Sequence, residues 1–243
     1  MVFSARDGAV SMKSSTLFLI VLALTVNSGI SRADPIANSK RTQASKGEIK
    51  TVVILGNSLV SHTPDLSIGW SGNWGMAASC ADSDFVHRLT RDIHQVNRRV
   101  RVVSRNIYTF EIGYRSYNFS QLKAIKELTP GMIILAIGEN VVDSTAVPDD
   151  FIEYYNRLLD YLGGKKCIEV IVDSFWKNRH VNSLIREYAS RKHLPLVSIT
   201  ALSSDARNRA GRRFANAGVA LHPSDKGMRL IADKIWKRIK TNF

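Results

Sequence analysis

Ser58 stands in the block Gly56-Asn57-Ser58-Leu59, directly after the β-branched run Thr51–Leu55. A serine in a tight turn at the carboxyl end of a buried strand exposes its hydroxyl and aims backbone N–H groups at whatever it attacks. Asn140 closes Gly138-Glu139-Asn140 after another apolar run, Met132–Ile137. The glycine there allows close backbone approach, and the amide can donate to a developing oxyanion. His222 opens His222-Pro223-Ser224-Asp225-Lys226-Gly227, just before the last helical pattern of the chain. A hydroxyl, an amide and an imidazole are the parts of a nucleophile, an oxyanion site and a general base. Each block alone is also ordinary turn chemistry. Their order, each at the edge of a regular element, points to one site.

Such residues meet only if the elements bring their loops to one edge. Apolar runs of strand length at Thr51–Leu55, Val100–Val103, Met132–Ile137, Ile168–Val172 and Leu194–Ile199 alternate with helical patterns. The helical patterns cover Asp84–Val96, Phe119–Leu128, Phe151–Leu162, Val181–Arg191 and Asp225–Ile239. The alternation predicts an α/β protein, a three-layer αβα sandwich with a five-stranded parallel sheet of flavodoxin-like type. With strand order 2-1-3-4-5, the carboxyl ends of the first and third strands adjoin at the topological switch point. Ser58 and Asn140 follow those two strands. No internal repeat or linker interrupts the pattern, so one domain is expected over residues 50–243.

At these blocks the chain resembles the SGNH (GDSL-like) hydrolase family. That family's first block, Gly-Asp-Ser-Leu, reads here Gly56-Asn57-Ser58-Leu59, with asparagine for aspartate. Its Gly-x-Asn-Asp block reads Gly138-Glu139-Asn140-Val141, and its Asp-x-x-His-Pro block reads Val219-Ala220-Leu221-His222-Pro223. The resemblance implies a nucleophilic Ser58, a base His222 and an oxyanion hole from the Ser58 N–H, the Asn140 amide and the backbone N–H of Glu111, which stands where the family has glycine. The family's triad acid falls on Val219, which can neither accept a proton nor orient an imidazole through its side chain. A backbone carbonyl near Val219 or another carboxylate, Asp225, Glu111 or Glu139, would have to take that part. No metal or organic cofactor is required.

From Met12 the text MKSSTLFLIVLALTVNSGISRADP has a basic start, an apolar run over Thr16–Val26 and small residues at Ser31 and Ala33. This reads as a secretory signal cleaved near Ala33, and the run falls short of the ~20 apolar residues of a membrane span. Residues 34–49 read as a polar tail. The expected location is therefore secreted or periplasmic. The whole chain carries a net charge of +13, and from Asp34 onward 31 Lys and Arg stand against 20 Asp and Glu. That field allows an anionic envelope polymer as partner. No nucleic-acid motif and no basic-aromatic stacking platform accompanies it.

Between Ser58 and the first long helix lies a Gly- and Trp-rich stretch, Ile68–Met76. Trp70 and Trp74 there either offer flat faces to sugar rings, as substrate-binding residues, or pack the loop on the domain. Asp84, His87 and His94 lack a convincing third partner for a metal. Cys80 and Cys167 are placed at opposite ends of the sheet and are expected to be free thiols. The sequence thus leads to an exported serine esterase that removes acetyl or other short acyl groups from a polysaccharide or small-molecule ester. The alternative is a catalytically impaired relative that binds acylated or anionic envelope glycans.

Overall fold

The computed structural model describes residues 49–142, 150–164 and 166–243, which all belong to one compact unit. The expected leader and nearly all of the polar tail lie outside the described residues. No described helix is long and apolar enough to cross a membrane.

The strands are β1 (Thr51–Gly56), β2 (Arg101–Asn106), β3 (Met132–Ala136), β4 (Ile168–Val172) and β5 (Leu196–Val197). They form one parallel sheet in the order β2-β1-β3-β4-β5. The helices are α1 (Phe85–Val96), α2 (Tyr108–Gly113), α3 (Lys123–Lys126), α4 (Asp150–Leu162), α5 (Arg179–Arg191), α6 (Ala217–Leu221) and α7 (Asp225–Ile239). Successive side chains of a strand point to opposite faces, so each apolar run feeds two cores. Val52, Ile54, Met132, Ile134 and Val170 join the apolar sides of α1 and α7. Val53, Leu55, Ile133, Leu135 and Ile171 join those of α2, α4 and α5 on the other face. Burial on both faces is why β1 and β3 read as nearly continuous apolar runs, and why β4 is apolar but for the buried Glu169. The three-layer parallel architecture is the one expected.

Local differences have identifiable causes. β2 continues past the predicted Val103 to Asn106 through Ser104 and Arg105, because an edge strand tolerates charge where a central one does not. The helix predicted over Phe119–Leu128 is a 3-10 turn, Phe119–Leu122, running into the single-turn α3. It ends at Lys126, shortly before Thr129, which has φ +47° and precedes Pro130, a residue that disfavours helix before it. The two cysteines are not joined in a disulfide, as expected, Cys80 being exposed and Cys167 buried.

Candidate active site

β1 ends in Gly56, where a Cβ would lie 2.5 Å from Val60 and 2.7 Å from the Ala136 carbonyl, so only glycine lets the chain turn against β3. Asn57 follows and is fully buried. Its side-chain oxygen accepts from the Leu59 N–H at 3.1 Å, closing the turn that leaves Ser58 part-exposed at the sheet edge. The Ser58 N–H has no partner among the described residues and remains available as a donor. β3 reaches the same edge, and Gly138, at φ +133°, turns its N–H inward and leads to Asn140.

Across the switch point stands His222, one residue past α6. Its Nε2 lies 2.8 Å from Ser58 Oγ, and its Nδ1 lies 2.8 Å from the Gly218 carbonyl. A carbonyl can only accept, so Nδ1 carries the proton and Nε2 faces the serine as an acceptor. At the end of α6 the His222 N–H bonds the Val219 carbonyl, so Gly218 O does not receive the i to i−4 bond from His222. The segment is pinned by Ala210 N–H to the His222 carbonyl at 2.8 Å and by the Trp176 ring, edge-on 5.0 Å from the imidazole. Burial lowers the His222 pKa to about 4; the Gly218 carbonyl opposes this shift and the nearby His62 adds to it.

The group that meets the far nitrogen of the imidazole is the Gly218 carbonyl. Val219 is 1% exposed and packs with Trp70, Met76, Ala77 and Ala210. A carboxylate there would be buried among apolar groups. Asp225 instead accepts from the Ser79 N–H at 2.7 Å and faces Arg213 at 3.7 Å. Of the alternatives left open by the sequence, the backbone carbonyl is the one that meets the imidazole.

Two expected roles are corrected. Glu111 is the fourth residue of α2, far enough into the helix that the i to i−4 bonding takes up its N–H, so it is not an oxyanion donor. What Glu111 brings to the site is its carboxylate. Trp70 is 3% exposed, edge-on to Trp74 at 5.7 Å and against Phe214, with its N–H on the His62 carbonyl. Trp74 is part-buried in the same cluster, and its N–H bonds the Ala78 carbonyl. Both tryptophans therefore pack the loop rather than offer a face to substrate. Trp176, after β4, is the aromatic that borders His222.

Glu111 and Glu139 were open substitutes for the triad acid, but they gather on the opposite side of Ser58, under Asn57 and Asn140. Glu111 accepts from the Gly138 N–H at 2.6 Å, the Asn140 N–H at 3.3 Å and the Asn140 amide at 2.7 Å. Asn57 Nδ2 donates to Glu139 at 2.8 Å and to Glu111 at 3.2 Å. Glu139 also accepts from the Phe175 N–H at 2.8 Å. Burial raises both acids, and the Glu111 charge further lifts Glu139, to about 8. Asn140 keeps a second amide hydrogen beyond the one given to Glu111. Sequence reading named Asn57 only as a departure from the family text; two acidic residues beside its turn and the Asn140 block were the signal for its partners.

The other conspicuous acids are structural. Asp84 caps α1 through the His87 N–H at 2.7 Å and holds the Gly75 N–H at 3.0 Å. Asp173, after β4, is buried against Arg186 at 2.6 Å and takes the Ile199 N–H at 2.7 Å. Beyond it opens a groove of about 670 Å³ lined by Lys177, Arg179, Asn182, Ser183, Arg186 and Thr200, among others.

No family model and no curated protein matches the chain. Solved structures do. A lipase/acylhydrolase from Enterococcus faecalis superposes with a TM-score of 0.54 at 15% identity, over 79% of this chain and 96% of that one. An alpha/beta hydrolase enzyme from the metagenome of Lake Arreo, Spain, gives 0.51 at 17% identity, over 82% and 98%. An acetyl xylan esterase gives 0.50 at 15% identity, over 77% and 98%. The sheet order, the layers and these superpositions agree: the chain has the three-layer α/β fold of esterases and acylhydrolases, the fold that its resemblance to the SGNH hydrolases implies.

Proposed function

We propose that the protein is an exported serine ester hydrolase of SGNH type that removes short acyl groups, acetyl foremost, from a polysaccharide. The observation that carries this reading is the 2.8 Å contact between Ser58 Oγ and an unprotonated His222 Nε2. In this reading His222 takes the hydroxyl proton as Ser58 Oγ attacks the ester carbonyl. The Ser58 N–H and the free Asn140 amide hydrogen receive the oxyanion. Collapse of the tetrahedral intermediate expels the alcohol, which takes the proton from His222, and leaves an acyl-serine. Water, deprotonated by His222, then releases the acid and restores Ser58. The Gly218 carbonyl holds the imidazole tautomer throughout but adds no full negative charge to the imidazolium.

The groove after β4, lined by Lys177, Arg179, Arg186 and Glu187 among others, offers charged and hydrogen-bonding groups of the kind that hold hydroxyl- and carboxylate-bearing sugars. The neighbour that is an acetyl xylan esterase supports the same class. The net charge of +13 suits an anionic envelope polymer. The test is acetate release from acetylated xylan and from p-nitrophenyl acetate by the chain from Asp34 onward, beside Ser58→Ala. Release that vanishes in the variant is expected; a folded wild type that releases nothing from either contradicts the reading.

A further inference from the structure

Three loops converge beneath Ser58 and are joined by side chains that the proposed reaction does not use. Asn57 belongs to the turn after β1, Glu139 to the loop after β3, and the Phe175 N–H to the loop after β4. The Asn57 amide is fixed in orientation, because its oxygen is taken by the Leu59 N–H at 3.1 Å. Its nitrogen must therefore point the other way, toward Glu139 and Glu111. Glu111 in turn holds the amide of Asn140 at 2.7 Å and the N–H of Gly138 at 2.6 Å. One buried carboxylate thus ties the nucleophile's turn to the loop that carries the oxyanion donor.

We propose that Glu111 and Glu139 are positioning acids, bridged by Asn57, that set the Asn140 amide against Ser58, and that this pair is why asparagine precedes the serine. The inference rests on the esterase reading and names residues that act through Asn140 and the turn. An ionised aspartate at position 57 would still accept from the Leu59 N–H. Its second oxygen, however, could only accept, so both donations of the Asn57 amide would be lost and three acids would share the one proton that Glu139 holds below about pH 8. Desolvation and mutual repulsion already hold the pair's protons tightly, Glu139 titrating at about 8. Among the described residues, the buried Tyr155 also senses the Glu139 charge. The substitution that restores the family's motif should therefore harm this protein, which is the reverse of what a motif alone would suggest.

The experiment is a double-mutant cycle on p-nitrophenyl acetate with Asn57→Asp, Glu139→Gln and the pair combined, each checked for folding by its thermal midpoint. Asn57→Asp is expected to lower kcat about 10- to 100-fold with KM within about 3-fold of wild type. Adding Glu139→Gln, whose amide can donate to the new carboxylate, is expected to recover about 10-fold of that loss. An unchanged kcat in Asn57→Asp, or a double variant no better than the single, overturns the proposal. Should Asn57→Asp fail to fold, Glu111→Gln decides. It turns a donor onto the Asn140 amide and is expected to cut kcat about 10-fold with KM unchanged; an unaltered kcat overturns the proposal. A folded wild type without turnover is a different failure, because it removes the esterase reading and the inference together.

Discussion

The two sides of Ser58 are built in opposite ways. On the His222 side, among the described residues, no carboxylate bonds the imidazole, and the Gly218 carbonyl lies 2.8 Å from Nδ1. On the Asn140 side stand two, Glu111 and Glu139, joined by the Asn57 amide. A triad puts its negative charge behind the base, where it stabilises the imidazolium. Here the charge lies behind the oxyanion donor, where it orients an amide and fixes a turn. The difference teaches that the carbonyl can supply the geometry of a triad acid without its charge. Two buried acids likewise tie the loops after β1 and β3 together without touching the histidine.

The largest effect expected is on the pair both sides serve. Ser58→Ala or His222→Ala should each reduce kcat by about 10⁴-fold or more, and the double variant should fall little further, because the two act as one unit. This is read by steady-state hydrolysis of p-nitrophenyl acetate. Next comes the donor side: Asn140→Ala should cost about 10²- to 10³-fold in kcat with little change in KM. A change confined to KM would mean that Asn140 binds substrate rather than the oxyanion.

Val219→Asp sharpens the comparison from the histidine side. If the site merely lacked its acid, the substitution would raise kcat. Because Val219 is packed among Trp70, Met76 and Ala77, we expect no gain in kcat and a loss of about 3 kcal/mol in stability, measured by urea unfolding at neutral pH. The smallest effect is on stability against pH. The folded pKa of Glu139, about 8, lies above its ordinary 4.5. Between these values the native state binds a proton that the unfolded chain has lost, so this group's contribution falls as pH rises through the window. Glu139→Gln should flatten the decline in thermal midpoint between pH 5 and pH 8, and an identical decline in the variant would place the proton elsewhere.

The sheet was legible because β1, β3 and β4 are buried on both faces and therefore write apolar runs, interrupted in β4 only by Glu169. The polar end of β2, the short α2 and α6, and the broken helix near Phe119 were not, since edge exposure and single-turn geometry leave no period to read. At the site, Ser58, Asn140 and His222 were legible as residue types at strand and helix ends. Glu111 was identified by position but given the wrong atom: alignment to a glycine suggests a backbone role, whereas the local helix consumes that N–H. The Gly218 carbonyl carries no side-chain signature. Its availability depends on where α6 ends, which is a matter of backbone geometry. The tryptophans wrote the same text as a sugar platform, and only their burial against Val219 and Phe214 separates the two readings.

The most direct test of the account is covalent labelling of Ser58 with diethyl p-nitrophenyl phosphate, followed by mass spectrometry from pH 3 to pH 8, for wild type and His222→Ala. The account predicts one label on Ser58 and none in the variant. The rate should stay high on acidification and halve only near pH 4, because burial leaves the imidazole unprotonated down to that point. Absence of label on Ser58 in folded wild type, or a rate in wild type equal to that in the histidine variant, would contradict it.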